Sequence, residues 1–342
     1  MLRSLFYISQ NYSFEILRPL QQEIYRRGGT VKWLVIGDEV NMKNFNENED
    51  VTTNINLARN YDPQVCYVPG NVIPNFIPGI KVQVFHGLEY KKKGHFVIRG
   101  YFDLYCTHGP ATTQRFEELA DKHGYFDVVE TGWPKLDPLF STPAYPRPTD
   151  AEKVILYAPT FSPSLTSAPA LFEQIYTLSQ QHKNWHWLIK FHPKMDKQWI
   201  NRYLTLSAQN VEIVEQADIS SLLQCADIMI SDTSSVIGEF ALLNKPVITL
   251  NNSQPGDYLI DISDASELPS AIAQALEPND RLLEEINSYA MSLHPYKDGQ
   301  SSARILDVVE HLIAHGKSHN KAKPLNLFRN LKQRKSLNYW SL

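Results

Sequence analysis

Short apolar runs rich in β-branched and aromatic residues alternate along this chain with amphipathic stretches, and that rhythm constrains the fold more than any other feature. "SLFYIS" predicts a strand, "SFEILRPLQQEIYRRGG" a helix with Leu17, Leu20 and Ile24 on one face, and "VKWLVIG" the next strand. The series continues through "QVCYVP", "VQVFHG", "DLYCTHG" and "DVVETG", with the helix "PATTQRFEELADKHG" between the last two. Strands that alternate with helices return parallel to one another, so the pattern predicts a doubly wound α/β sheet.

A second series follows in "KVILYAPTF", "HWLIKFHP", "NVEIVE", "ADIMISD" and "KPVITLN", and it closes on the helices "DASELPSAIAQALE" and "SSARILDVVEHLIAHG". Between the two series lies "STPAYPRPTD", proline-rich and without period. The expected organisation is an N-terminal Rossmann-like domain (1–140), a linker (141–150), a C-terminal Rossmann-like domain (151–316) and a basic tail (317–342). A length of 342 residues suits two such domains. Two halves joined this way predict ligands held between them.

Composition narrows the function classes. With 43% apolar and 20% charged residues and a formal net charge of -4, nothing points to nucleic acid as a partner. Cys66, Cys106 and Cys225 stand singly, which fits a reducing, cytoplasmic setting. The opening "MLRSLFYISQNYSF" is too short in apolar length for a signal core, and no stretch reaches about 18 apolar residues, so membrane contact is expected only at the periphery.

The polar residues worth attention stand where strands end, because ligands of open α/β sheets bind outside the carboxyl ends of the strands. His86 closes "KVQVFHG" and is placed to act as a base. Lys190, His192 and Lys194 in "KFHPK" could neutralise phosphate charge or protonate a leaving group, or could simply form a strand-to-helix turn with solvated lysines. In "SDTSSVIGEF" the strand runs into a helix, so the N–H groups and the hydroxyls of Ser234 and Ser235 suit a diphosphate. Glu239, one turn on, could accept hydrogen bonds from ribose hydroxyls. An ordinary helix cap with a solvated glutamate is the alternative. Lys91, Lys92 and Lys93, with Arg99 nearby, could hold an anionic acceptor or form a solvated loop. A GxGxxG fingerprint after the first strand is absent, which speaks against a dinucleotide dehydrogenase. A DxD pair and a GxSxG elbow are absent too, which speaks against a DxD metal transferase and an α/β-hydrolase.

Taken together, "FHG" with Lys91, "FDLYCTHG" (Asp103), "TGWPKLD" (Gly132, Pro134, Asp137), "LYAPTF", "KFHPK", "SDTSSVIGEFALLNKPVI" and "DGQSSARI" (Asp298, Gly299, Ser302, Arg304) resemble the CDP-glycerol glycerophosphotransferase family, relatives of teichoic-acid primases and polymerases. The resemblance spans most of residues 80 to 305 and implies a GT-B-like fold, two Rossmann-like domains facing across a cleft. It implies CDP-glycerol or CDP-ribitol as donor, a glycan or lipid-linked acceptor and release of CMP; with no DxD or CxxC set in the sequence, no cofactor or metal is expected. His86 and His192 would then be catalytic, with Thr160, Lys190, Asp232, Ser234, Ser235 and Glu239 at the donor and Lys91, Lys92, Lys93 and Arg99 at the acceptor. The chain departs from the family's pattern where Leu88, Glu89 and Tyr90 follow the histidine-glycine pair, and where Glu239 replaces an aspartate. No long N-terminal module precedes the first domain, so a single domain pair is expected rather than a large polymerase.

Two other readings keep the fold: a nucleotide-sugar glycosyltransferase or UDP-sugar 2-epimerase-like enzyme, and a non-catalytic glycan- or nucleotide-binding scaffold. The tail adds one further expectation. Lys317, Lys321, Lys323, Arg329, Lys332, Arg334 and Lys335 make it basic, Leu327, Phe328 and Leu331 can share a helical face, and Tyr339 and Trp340 stand near its end. That combination suits an anionic inner leaflet, and a disordered solvated tail or a helix docked on the N-terminal domain are the alternatives.

Overall fold

The computed structural model describes residues 1–88, 94–206, 210–215 and 218–340. Contacts divide it into two compact units, one made of residues 1–138 and 293–342, the other of 139–292. In the first unit, strands β1 (Arg3–Ile8), β2 (Thr30–Val35), β3 (Val51–Thr52), β4 (Val65–Val68), β5 (Ile80–Gln83), β6 (Leu104–Thr107) and β7 (Asp127–Glu130) form one sheet in the order β3-β2-β1-β4-β5-β6-β7, every pair parallel. Helices α1 (Ser13–Arg26), α2 (Ile55–Asn60) and α3 (Pro110–His123) lie between strands, and α4 (Asp137–Ser141) leads out of the unit. Nearly every residue of β1, β4, β5 and β6 is buried, as strands covered on both faces must be; β1, β4 and β6 are mostly apolar for this reason, while β5 alternates and buries the polar side chains of Lys81 and Gln83. Leu17, Leu20 and Ile24 form the buried stripe of α1 as their spacing predicts.

The second unit repeats the plan with β8 (Lys153–Tyr157), β9 (Trp185–Ile189), β10 (Val211–Ile213), β11 (Ile228–Ser231), β12 (Val247–Leu250) and β13 (Ile260–Ile262), in the order β10-β9-β8-β11-β12-β13, again all parallel. Its helices are α5 (Ala168–Gln181), α6 (Lys197–Leu204), α7 (Ile219–Cys225), α8 (Val236–Ala241), α9 (Leu268–Leu276) and α10 (Asp280–Leu293). The expected α/β class holds, with two Rossmann-like sheets. Strands β3 and β13 escape the sequence pattern because they are two and three residues long, with exposed Asp261 in the middle of β13.

The domain boundaries differ from expectation at both ends of the second unit. The proline-rich segment is attached to that unit rather than free: the Tyr145 N–H donates to the Ser221 carbonyl at 3.0 Å, and Arg147 pairs with Asp227 at 2.8 Å. After α10 the chain belongs to the first unit, where α11 (Ser301–His315) buries Ile305, Leu306, Val309 and Leu312. Helix α11 packs on α1, and Arg27 of the α1 end reaches Asp307 at 2.7 Å and Glu310 at 3.2 Å. An apolar stripe predicts that a helix is covered without saying which sheet covers it, so residues 293–316 look in sequence like the end of the second series.

The tail is also part of the first unit, with a last helix α12 (Leu327–Ser336). Lys317 and Lys323 both reach the mostly buried Asp103, at 3.0 Å and 2.6 Å, and the N–H groups of Ser318 and His319 donate to the Asp127 carboxylate at 2.8 and 2.9 Å. Pro324 and Asn326 lie so close to Gly100, whose φ is +80°, that a Cβ there would stand 2.5 Å from the proline ring. Tyr339 is not an interfacial aromatic: it is buried, stacked on Phe76 with centroids 4.3 Å apart, and bonded to Arg59. The alternative of a docked helix is therefore the one observed. Burial would raise the Asp103 carboxyl, but the Lys323 charge and bonds from Lys323, the Lys81 N–H and Lys317 outweigh it and hold the group below its ordinary value. Asp103→Asn should remove about 3 kcal/mol of stability and raise hydrogen exchange across 317–340 first, measured by denaturant titration and exchange mass spectrometry. An unchanged tail would mean that apolar contacts alone hold it.

Candidate active site

In a doubly wound sheet the crevice lies where strand order reverses, because the loops on the two sides of that point diverge. In the first unit the reversal falls between β1 and β4. His86 lies beside the loops that follow those two strands: its ring stacks on Tyr12 with centroids 5.5 Å apart, and its Nδ1 is 3.3 Å from the Pro69 carbonyl. The local backbone explains its exposure. The Val84 N–H extends the ladder to Val68 at 3.1 Å, and then Phe85 turns the chain in the left-handed region at φ +57°. A bulky residue there costs about 1 kcal/mol or more, and the packed surroundings must hold it. The Phe85 ring packs against His95, Tyr105, His108 and Phe116, with centroids 5.1 to 6.1 Å away, while the next residue, His86, stands exposed.

Among the further histidines of this unit, His95, His108 and His294 are the ones whose charged form burial disfavours, and the sequence pattern singles out none of them. Burial pushes His95 down to about 4, helped by the His86 charge, and pushes His294 down to about 4 as well. Burial drives His108 well below the ordinary histidine value, with His294, His95 and His86 adding to the effect. All three are therefore neutral near pH 7 and add no charge beside His86. His108 could have been noticed, since it closes "DLYCTHG" as His86 closes "KVQVFHG"; only burial separates them.

Two of the motifs turn out to hold each other. The Asp137 carboxylate accepts from the Ser301 and Ser302 N–H groups at 2.8 Å each, so "TGWPKLD" caps the helix of "DGQSSARI". Gly132 has φ +81°, and a Cβ there would stand 2.5 Å from Ser301 Oγ and 2.8 Å from His294 Nε2. The Trp133 N–H donates to His294 Nε2 at 3.0 Å. Arg304 pairs with Asp298 and lies 4.1 Å over the Tyr296 ring.

In the second unit the order reverses between β8 and β11. Thr160 follows β8, Asp232, Ser234 and Ser235 follow β11, and Lys190 and His192 follow β9 on the neighbouring strand. Asp232, expected at the donor, is wholly buried and occupied by the protein itself: it accepts from the N–H groups of Thr233 (2.7 Å), Thr160 (2.9 Å) and Ser167 (2.8 Å) and from Ser167 Oγ (2.9 Å). It shapes the loop that carries Thr160. His192 stacks on Phe161 at 4.4 Å and accepts the Lys194 N–H at Nδ1 (3.1 Å), which leaves its Nε2 as an N–H donor in the neutral ring. Lys190 donates to the Glu215 carbonyl at 2.6 Å; burial lowers its pKa against the charges of Asp218 and Glu215. Ser235 is exposed and Ser234 half-buried, but α8 is only six residues long, so a helix dipole adds little and the hydroxyls must carry the anion contact. Glu239 is buried in α8 rather than solvated.

Lys91, Lys92 and Lys93 lie outside the described residues. The Arg99 carbonyl accepts from Asn326 at 2.8 Å and Arg329 at 3.1 Å, so its backbone fixes the tail.

Two Rossmann-like units with polar residues gathered at both strand reversals define a GT-B-like protein. Solved structures of that fold agree: a UDP-N-acetylglucosamine 2-epimerase described as putative, from Listeria monocytogenes, superposes with TM-score 0.65 at 13% identity over 94% of this chain and 100% of that one. The wall teichoic acid polymerase TagF gives 0.60 at 15% identity over 92% and 89%. The family model for CDP-glycerol:poly(glycerophosphate) glycerophosphotransferase matches residues 105–311, and the chain belongs to that family. It is 29% identical to the teichoic acid glycerol-phosphate primase of Bacillus subtilis over 48% of this chain and 45% of that protein. It is 27% identical to the ribitol-phosphate polymerase TarK of Staphylococcus aureus over 53% and 40%. The chain thus spans under half the length of these two relatives. Against the ribitol-phosphate primase of Bacillus spizizenii the shares are 73% and 74%, at 21% identity.

The buried histidines set an acid limit. Each has a lower pKa folded than unfolded, so the unfolded chain binds more protons once pH falls below about 6.5. Their stabilisation is complete above that pH and is lost as pH falls toward about 4, where folded His95 and His294 titrate. Thermal unfolding followed from pH 7.5 to 5 should therefore hold level down to about pH 6.5 and then move downward, by up to about 1.4 kcal/mol per pH unit for each histidine. A midpoint that stays flat over this range would show these rings to be solvated.

Proposed function

We propose that the chain moves glycerol phosphate or ribitol phosphate from a CDP-activated donor to a hydroxyl of a cell-surface glycan or lipid-linked acceptor, releasing CMP. The observation that carries this reading is His86, an exposed imidazole at a strand reversal with Nδ1 against a carbonyl, in a chain of the glycerophosphotransferase family. His86 Nε2 takes the proton of the attacking hydroxyl as its oxygen bonds to the β-phosphorus; the P–O bond to CMP breaks and CMP leaves with the electron pair. The hydroxyls of Ser234 and Ser235 and the Nε2–H of His192 bind the departing phosphate, and Thr160, Lys190 and Glu239 complete the donor site. Lys91, Lys92, Lys93 and the Arg99 side chain meet the acceptor.

His86→Ala should cut CMP release by about 100- to 10,000-fold while calorimetry finds CDP-glycerol binding intact. Ser234→Ala and Ser235→Ala should each weaken CMP binding by about 1.5–3 kcal/mol with thermal unfolding unchanged. Near-normal turnover by His86→Ala removes it from the mechanism. A donor panel separates the remaining readings: UDP release would point to a nucleotide-sugar enzyme, and no release from any donor to a binding scaffold.

We also propose that the outer face of α12 meets an anionic lipid surface. Asp103 takes Lys317 and Lys323, so deletion of the tail would damage the first unit and test nothing cleanly. The outward face still carries Phe328 at 90% exposure with exposed Leu327 and Leu331, and Lys332 and Lys335 beside them; exposed Leu325 precedes the helix and exposed Trp340 follows it. Leu327→Ser, Phe328→Ser and Leu331→Ser together should abolish salt-sensitive binding to phosphatidylserine vesicles and spare transfer to a soluble acceptor; undiminished vesicle binding excludes this face.

A further inference from the structure

Gln83 is the last residue of β5 and has no exposed surface, so its amide must find all its partners inside the protein. It does so across two chain segments. Its Nε2 donates to the Gly70 carbonyl at 2.9 Å and to Asn71 Oδ1 at 2.9 Å, while its Oε1 accepts the Phe85 N–H at 3.1 Å. One end of the amide therefore fixes the loop after β4, and the other fixes the left-handed turn that presents His86. That same loop begins with Pro69, whose carbonyl lies 3.3 Å from His86 Nδ1.

We propose that Gln83 is a positioning residue for His86, acting through the Pro69 carbonyl to set the tautomer and charge tolerance of the ring; this rests on His86 being the base. A carbonyl oxygen only accepts, so the contact puts the proton of the neutral ring on Nδ1 and leaves the Nε2 lone pair for the acceptor hydroxyl. When Nε2 takes the proton, the Nδ1–H bond to Pro69 becomes charge-assisted and strengthens. The carbonyl thus favours the imidazolium that transfer creates. Its place depends on the start of a loop that Gln83 ties to β5, while Lys81 of the same strand ties the end of that loop through the Ile77, Pro78 and Gly79 carbonyls. The bond from Phe85 to Gln83 opposes relaxation of the strained turn from the other side.

The test replaces Gln83 with methionine, which matches its length and removes all three bonds. In the Gln83→Met variant, kcat should fall by about 10- to 100-fold with the donor KM unchanged. The acid limb of kcat/KM should move to lower pH, because the imidazolium has lost a held acceptor. Nitrogen-15 spectra of histidine-labelled protein, with the His86 signals assigned by their loss in His86→Ala, should show the Nδ1–H form in the parent protein and a shift toward Nε2–H in the variant. This readout needs no turnover. If Gln83→Met does not fold, Asn71→Ala removes one partner and should give a smaller change in the same direction. Unaltered kcat, pH profile and tautomer in a folded Gln83 or Asn71 variant overturn the proposal while leaving His86 as the base. Retained turnover in His86→Ala overturns the base itself.

Discussion

Every strand pair in both sheets is parallel, and the central strands are buried on both faces. A parallel strand must be followed by a crossover, so its carboxyl end always opens into a loop, and a covered sheet has no other place to present polar groups. The rest of the molecule follows from this. His86, Thr160, His192 and Ser234 belong to different segments, yet each stands a few residues beyond a strand end. The reversal of strand order then selects among those loops: β1 and β4 in one unit, β8 and β11 in the other, supply Tyr12, Pro69, Thr160 and Asp232.

Aspartate does recurrent structural work at those loops. Asp137 closes the start of α11, Asp232 gathers three loop N–H groups and a serine hydroxyl, and Asp127 and Asp103 hold the returning tail. In each case a carboxylate replaces water as the acceptor for backbone or lysine donors that burial would leave unpaired, a loss worth about 1–3 kcal/mol per group. A buried carboxylate used this way is not available to a ligand. Asp232 is for this reason left out of the proposed donor contacts, which retain the hydroxyls beside it.

Much of this was legible in sequence, for reasons that also explain the rest. Most strands of both sheets, β3 and β13 excepted, announce themselves because burial favours apolar runs, and His86 and His192 because glycine or proline marks the strand end after them. The return of α11 and the tail to the first unit was not legible, since Ile305, Leu306 and Val309 specify only that some surface covers them. The seven basic tail residues suggested one electrostatic surface, but charge in a sequence does not say which lysine meets a buried aspartate. Phe85 gave no signal either: a phenylalanine in a left-handed turn violates local preference, and only the ring cluster around it makes that conformation hold.

That violation bears on why one histidine among several is suited to acid–base work. His95, His108 and His294 share its unit, and burial makes the charged form of each costly, so none can gain and lose a proton readily near neutrality. A base must cycle between neutral and charged forms, which calls for solvent on one side and a fixed acceptor on the other. The turn at Phe85 meets both demands at once. It anchors an aromatic ring in the core, leaves the next side chain exposed, and sets its Nδ1 against a main-chain carbonyl whose acceptor character no pH change alters. The strain in the backbone is thus the cost of taking one histidine out of a buried group and giving it a single orientation.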